Sequence, residues 1–113
     1  MNRVIISGRI TKDLELKYTS NNNPVTLFTL AVKRTKEDSD FIQVVAYNKQ
    51  AENVTKYCKK GSSINVVGRL YTRNYDDKDG KKVYIVEVLA DEIEFVGNAS
   101  EKKEVEEQEQ LPF

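Results

Sequence analysis

Histidine and tryptophan are absent from this 113-residue chain, and cysteine occurs once. Without histidine there is no Ser-His-Asp triad, no imidazole ligand for a transition metal, and not the commonest general base. The single Cys58 excludes an internal disulfide and a cysteine-rich zinc site. No run approaches the ~20 apolar residues of a membrane span, and no apolar segment behind a basic start marks a signal peptide. The expectation is a cytoplasmic binding protein, not an enzyme, with no cofactor, no metal and no membrane partner.

What is present is a modest core and a divided charge. Some 39% of residues are hydrophobic, which suits one domain plus a tail. The formal net charge is zero. Of the 18 basic residues only Lys102 and Lys103 lie beyond Asn98, against five of the 18 acidic ones. That leaves 16 against 13 in the body, an excess of +3, and 2 against 5 in the tail, an excess of −3. Such asymmetry suits a body that meets a polyanion and a tail that avoids one.

Period-two runs bounded by turn clusters predict strands at 3–10, 25–33, 41–47, 62–75 and 82–96. Leu14 to Tyr18 reads as a continuation of the first, with Gly8 as a bend or bulge. Between the third and fourth strands the period changes. Ala51, Val54 and Cys58 fall at helical spacing, with Asn48 as N-cap and Gly61 at the C′ position. Five strands with one helix between the third and fourth is the plan of an all-β OB-fold, a five-stranded Greek-key barrel. A flat α+β sheet is the competing plan. The predicted domain is 1–97, and 98–113 reads as a disordered acidic tail.

Alternate strand residues share a face. On the fourth strand that groups Arg69, Tyr71, Arg73 and Tyr75. On the third it groups Phe41, Gln43, Val45 and Tyr47, with the smaller Ile42, Val44 and Ala46 opposite, as a barrel interior requires. Flat rings interleaved with cations suit single-stranded nucleic acid, whose unpaired bases stack while its phosphates are neutralised. Reading a duplex needs side chains that reach base edges, usually from a helix, and here the helix face looks committed to the core. RNA as the target, or aromatics that serve a subunit interface, remain open on these residues alone.

The tail ends in Glu106-Glu107-Gln108-Glu109-Gln110-Leu111-Pro112-Phe113. Pro112 continues neither a helix nor a central strand. Leu111, Pro112 and Phe113 are therefore expected to be displayed as a tip that another protein reads.

The opening Met1-Asn2-Arg3-Val4-Ile5-Ile6-Ser7-Gly8-Arg9-Ile10, then Thr11-Lys12-Asp13-Leu14-Glu15, resembles that of the bacterial and phage-type single-stranded DNA-binding proteins. Lys49-Gln50-Ala51-Glu52-Asn53-Val54, Tyr57, Lys59-Lys60-Gly61-Ser62 and Gly68-Arg69-Leu70-Tyr71-Thr72-Arg73 match the same family, as does the terminal Leu-Pro-Phe. The resemblance implies an OB-fold, a homo-oligomer that is usually a tetramer, and sequence-tolerant binding of single-stranded DNA. It also implies replication, recombination and repair proteins as partners through the tip. By position it implies Phe41, Tyr47 and Tyr75 as base-stacking aromatics, to which the alternation adds Tyr71. Arg3, Lys49, Lys60 and Arg73 fall where the family places phosphate or groove cations, and Lys33 and Arg34 lie in a groove-lining segment. Arg69 joins them by its face. The family often carries one more stacking aromatic within the segment Thr35 to Asp40. Here it is missing and the segment is short.

Overall fold

The computed structural model describes residues 1–96. The acidic tail and its Leu111-Pro112-Phe113 tip lie outside the described residues. In chain order the elements are β1 (Val4–Ile10), β2 (Lys17–Tyr18), β3 (Pro24–Lys33), β4 (Ser39–Tyr47), α1 (Asn48–Tyr57), β5 (Ser63–Asp76) and β6 (Lys82–Phe95). Five strands are long, and α1 falls between the third and fourth of them. The sheet order is β1-β5-β6-β4-β3-β2, and β1 also pairs with β3. That second pairing consists of Arg9 with Ala31 and Ile10 with Leu30. It curls the sheet into a barrel, so the OB-fold plan holds and the flat sheet does not.

The interior follows from the two-residue period. Ile10, Phe28, Leu30, Val44, Ala46, Ile64, Val66, Val88 and Ala90 point inward and are buried. Each aliphatic or aromatic side chain fully removed from water contributes about 1.5–3 kcal/mol. α1 adds Ala51 and Val54 to the same cluster, Cys58 just after the helix joins them, and α1 packs against β3 and β4. Burial pushes the Cys58 thiol up to about 11, so it stays protonated at neutral pH and acts as a small hydrophobe.

Several local expectations change. Leu14 to Tyr18 does not extend β1. Leu14 and Leu16 pack on the core, and Lys17–Tyr18 turns back to pair with Pro24–Val25. At Gly8 the register with β5 runs on without a break. Asn48 does not cap α1 with its side chain. Tyr47 is the N-cap residue, and Asn48 adopts φ +57. Asparagine tolerates that left-handed backbone better than most residues. Gly61 lies past the C′ position, because α1 ends at Tyr57. Its φ of +91 instead serves a turn in which the Ser62 N–H donates to the Lys59 carbonyl. Lys59 and Lys60 accordingly sit in that turn, beyond the helix end.

The feature that positions the site is the β5–β6 hairpin. The two strands pair from Ile64 with Phe95 out to Asp76 with Lys82. The register shifts between Val67 and Gly68, leaving Asp91 as the extra residue on β6. A bulge of this kind bends the strand pair and increases its twist. Inside the bulge β5 belongs to the barrel. Beyond it, every β5 residue from Arg69 to Asp76 is exposed, and the hairpin stands out from the body.

Candidate nucleic-acid interface

Cross-strand partners share a face, so the register joins the site. Tyr75 opposes Val83, Arg73 opposes Ile85, Tyr71 opposes Glu87 and Arg69 opposes Leu89. Leu89 pairs in parallel with Val45, and Val45 opposes Leu27. One outward surface therefore runs from β5 across β6 and β4 to β3. It carries Phe41 and Tyr47 from β4 together with Tyr71 and Tyr75 from β5. Phe41 is 69% exposed, Tyr75 50%, Tyr71 45% and Tyr47 43%. Four rings half open to water on one face is a costly surface for an isolated domain to keep without a ligand.

The floor of this surface is dry. Val45 and Glu87 both point outward, yet both are buried, because the side chains around them lean over. Arg73 covers Glu87. Its Nε donates to Oε1 at 3.0 Å and its Nη2 to Oε2 at 3.4 Å, a two-point grip on the carboxylate. The hydrogen bond to Glu87, and then the Glu87 charge, hold the Arg73 guanidinium above its ordinary value; Tyr71 and Tyr47 act in the same sense. Tyr71 opposes Glu87 across the strands, so its ring lies beside the pair, and Tyr47 stands on the same outward surface.

The remaining cations spread outward from this centre. Asn2 brackets Leu70 with two hydrogen bonds, its Nδ2 donating to the Leu70 carbonyl at 2.9 Å and its Oδ1 accepting from the Leu70 N–H at 2.8 Å. Val4 opposes Gly68, so Arg3 between them lies beside Arg69. Arg69 in turn is 3.9 Å from Asp91, with both partners exposed. Lys49 is the second residue of α1, two residues after Tyr47. Lys33 ends β3 beside a cleft of about 380 Å³ between β1 and β3.

Two cations fit less well. Arg34 lies in the tight turn between β3 and β4, held to Asp40. That hydrogen bond is the main cause that lowers the Asp40 carboxyl and raises Arg34. Lys60 sits in the turn before β5, where its N–H donates to Asp13 Oδ1 at 3.1 Å and the neighbouring Gly61 N–H donates to the Ile10 carbonyl. That is the far end of β5 from Tyr75. The structure does not bring Lys60 together with the aromatic cluster.

Three residues escaped the sequence reading. Arg9 lines the same cleft as Lys33, and its odd position on β1 beside Ser7 carried that signal. Leu27 is half exposed next to Val45, an apolar neighbour for a base. Glu87 is the third, since an acid on a strand reads as surface until the register places it opposite Tyr71. Among the described residues, no group of three or more His, Cys, Asp or Glu side chains is placed to hold a metal ion.

The Single-strand binding protein family matches residues 1–96. Over 102 residues the chain is 53% identical to a "Single-stranded DNA-binding protein" of Bacillus cereus, covering 85% of this chain and 60% of that protein. It is 49% identical to "Single-stranded DNA-binding protein 1" of Staphylococcus aureus strain Mu50, covering 85% and 65% respectively. The chain thus spans about 60% of the length of the first of these relatives.

Proposed function

The chain belongs to the single-strand binding protein family, and from that premise we propose that it binds and protects single-stranded DNA with little sequence preference. The observation that carries this is the outward row Arg69, Tyr71, Arg73 and Tyr75, joined by the register to Phe41 and Tyr47. Stacking on rings tolerates any base, because every base has a π-face. Arg3, Lys33, Lys49 and Arg69 surround the rings as groove cations, with Arg34 and Lys60 at the margins. The role is binding without a catalytic step, in DNA replication, recombination and repair in the cytoplasm.

The test is a titration with oligo-dT, read by tyrosine fluorescence at several salt concentrations. Tyr47, Tyr71 and Tyr75 are expected to be quenched. The logarithm of the affinity is expected to fall with the logarithm of salt at about −0.7 per neutralised phosphate. No quenching, or a flat salt response, would sink the reading. An RNA oligonucleotide of equal length is expected to compete poorly.

A homo-oligomer, a tetramer, belongs to the same proposal. β1 pairs with β5 along Val4–Arg9 but meets β3 only at Arg9 and Ile10. Among the described residues, the second edge of Val4–Gly8 therefore offers free backbone groups, a ready template for another strand. On the hairpin face opposite the aromatic row, Leu70, Tyr84 and Val86 are exposed, which is apolar area suited to a second contact. Sedimentation equilibrium is expected to give about four times the 13.0 kDa chain mass. A monomer at micromolar concentration contradicts it.

The division into a DNA-binding body at 1–97 and a recruiting tail at 98–113 completes the proposal. Its support is the sequence pattern of an acidic run before Leu111, Pro112 and Phe113. Phe113→Ala is expected to leave DNA affinity nearly unchanged while abolishing capture of replication, recombination or repair proteins. Equal capture by the variant refutes the role of the tip.

A further inference from the structure

Three arginines of the candidate interface have a carboxylate partner, and the partners differ in burial. Asp40 and Asp91 are exposed, as are Arg34 and Arg69 that face them. A DNA phosphate can replace such a carboxylate at little cost, since the released group returns to water. Glu87 is different. Its side chain is 1% exposed and held by two nitrogens of Arg73. Pulling Arg73 away would leave a buried carboxylate without its cation, which is strongly unfavourable. Arg73 therefore cannot exchange Glu87 for a phosphate as Arg34 and Arg69 can exchange theirs.

We infer that Glu87 is a positioning residue for DNA binding: it cancels the charge of Arg73 and fixes its guanidinium as a flat tile beside Tyr71, so that Arg73 meets a base and not a phosphate. A two-point grip sets the plane of the guanidinium as well as its place. That plane has a face on which a base stacks. The pair as a whole carries no net charge, so it repels no phosphate and neutralises none. Arg73 thus joins the aromatic row as a stacking element, and the salt dependence of binding comes from the other cations.

This inference rests on the single-stranded DNA reading above. It is tested by oligo-dT binding across a range of salt with the full chain and two variants, Glu87→Gln and the double variant Arg73→Gln with Glu87→Gln. The first keeps the shape of the site and frees the Arg73 charge. It is expected to steepen the salt slope by about 0.7, one added phosphate contact, and to tighten binding at low salt. The double variant removes both charges and the guanidinium plane. It is expected to keep the wild-type slope while binding about 5-fold more weakly or worse at every salt concentration.

An unchanged slope in Glu87→Gln overturns the inference, as does a slope flattened by about 0.7 in the double variant. A double variant that binds like the wild type overturns it too. If one variant fails to fold, the other decides alone. Absence of wild-type binding is a different failure, because it sinks the proposed function and this inference with it.

Discussion

Alanine in place of Tyr75, Tyr47 or Phe41 is expected to weaken single-stranded DNA binding by about 1–3 kcal/mol for each lost stack, a magnitude drawn from this class of protein itself. In dissociation constants that is roughly 5- to 150-fold for each ring. The three sites are good tests because none belongs to the buried cluster. Phe41 on β4 and Tyr75 on β5 are separated by β6, so their losses should add in free energy. Tyr47 is expected to cost a similar amount, because its ring stands half exposed on the same outward surface. Tyr75→Phe and Tyr47→Phe keep the π-face and are expected to bind close to wild type. Filter binding with labelled oligo-dT, at one fixed salt concentration, measures all five variants. If all three alanine variants fold normally and bind normally, base stacking is not how this surface works.

The parts of the molecule legible in the sequence were those governed by a short period. Alternation separated Val44 and Ala46 from Phe41 and Tyr47, and it placed Arg73 with Tyr75, because side-chain direction along a strand depends only on parity. The helix was legible for the same reason, through Ala51, Val54 and Cys58. Parity says nothing about which strands meet. The closure of the barrel rests on two residue pairs between β1 and β3, and nothing in either strand announces them. From the tip to Tyr71 the β5–β6 register runs unbroken, but the partner of Tyr71 can be counted only once the closing pair Asp76 with Lys82 is known, and the polar run between the strands does not single that pair out. That is why Glu87 stayed hidden. Loop cations were the least legible. Lys60 and Arg34 lie in turns, where no period fixes direction, and the structure sets Lys60 apart from the rings and Arg34 against Asp40.

Gly68→Ala is expected to be a strongly damaging single-methyl change in the body. A Cβ built there meets the carbonyl oxygen of Leu89 far inside contact distance, with the Leu89 carbonyl carbon at 3.0 Å and Val88 Cγ1 at 3.1 Å. The obstacle is mostly backbone, which cannot rotate away as a side-chain tip can. Gly68 also stands at the register shift, where the barrel gives way to the projecting hairpin. The added methyl must therefore push β5 from β6 at the point that aims Arg69, Tyr71, Arg73 and Tyr75. Overpacking of this kind costs about 1–3 kcal/mol and sometimes more; the backbone clash places Gly68→Ala at the upper end. Urea unfolding is expected to show a midpoint lower by about 1 M or more, with little change in slope. The variant that remains folded is expected to bind oligo-dT more weakly as well, because the hairpin no longer lines up with Tyr47. A wild-type urea midpoint with wild-type binding would mean that β5 and β6 do not approach as closely as this register requires. Normal stability with lost binding would instead mean that the strain is absorbed entirely by the hairpin, making Gly68 a determinant of its direction and not of the barrel.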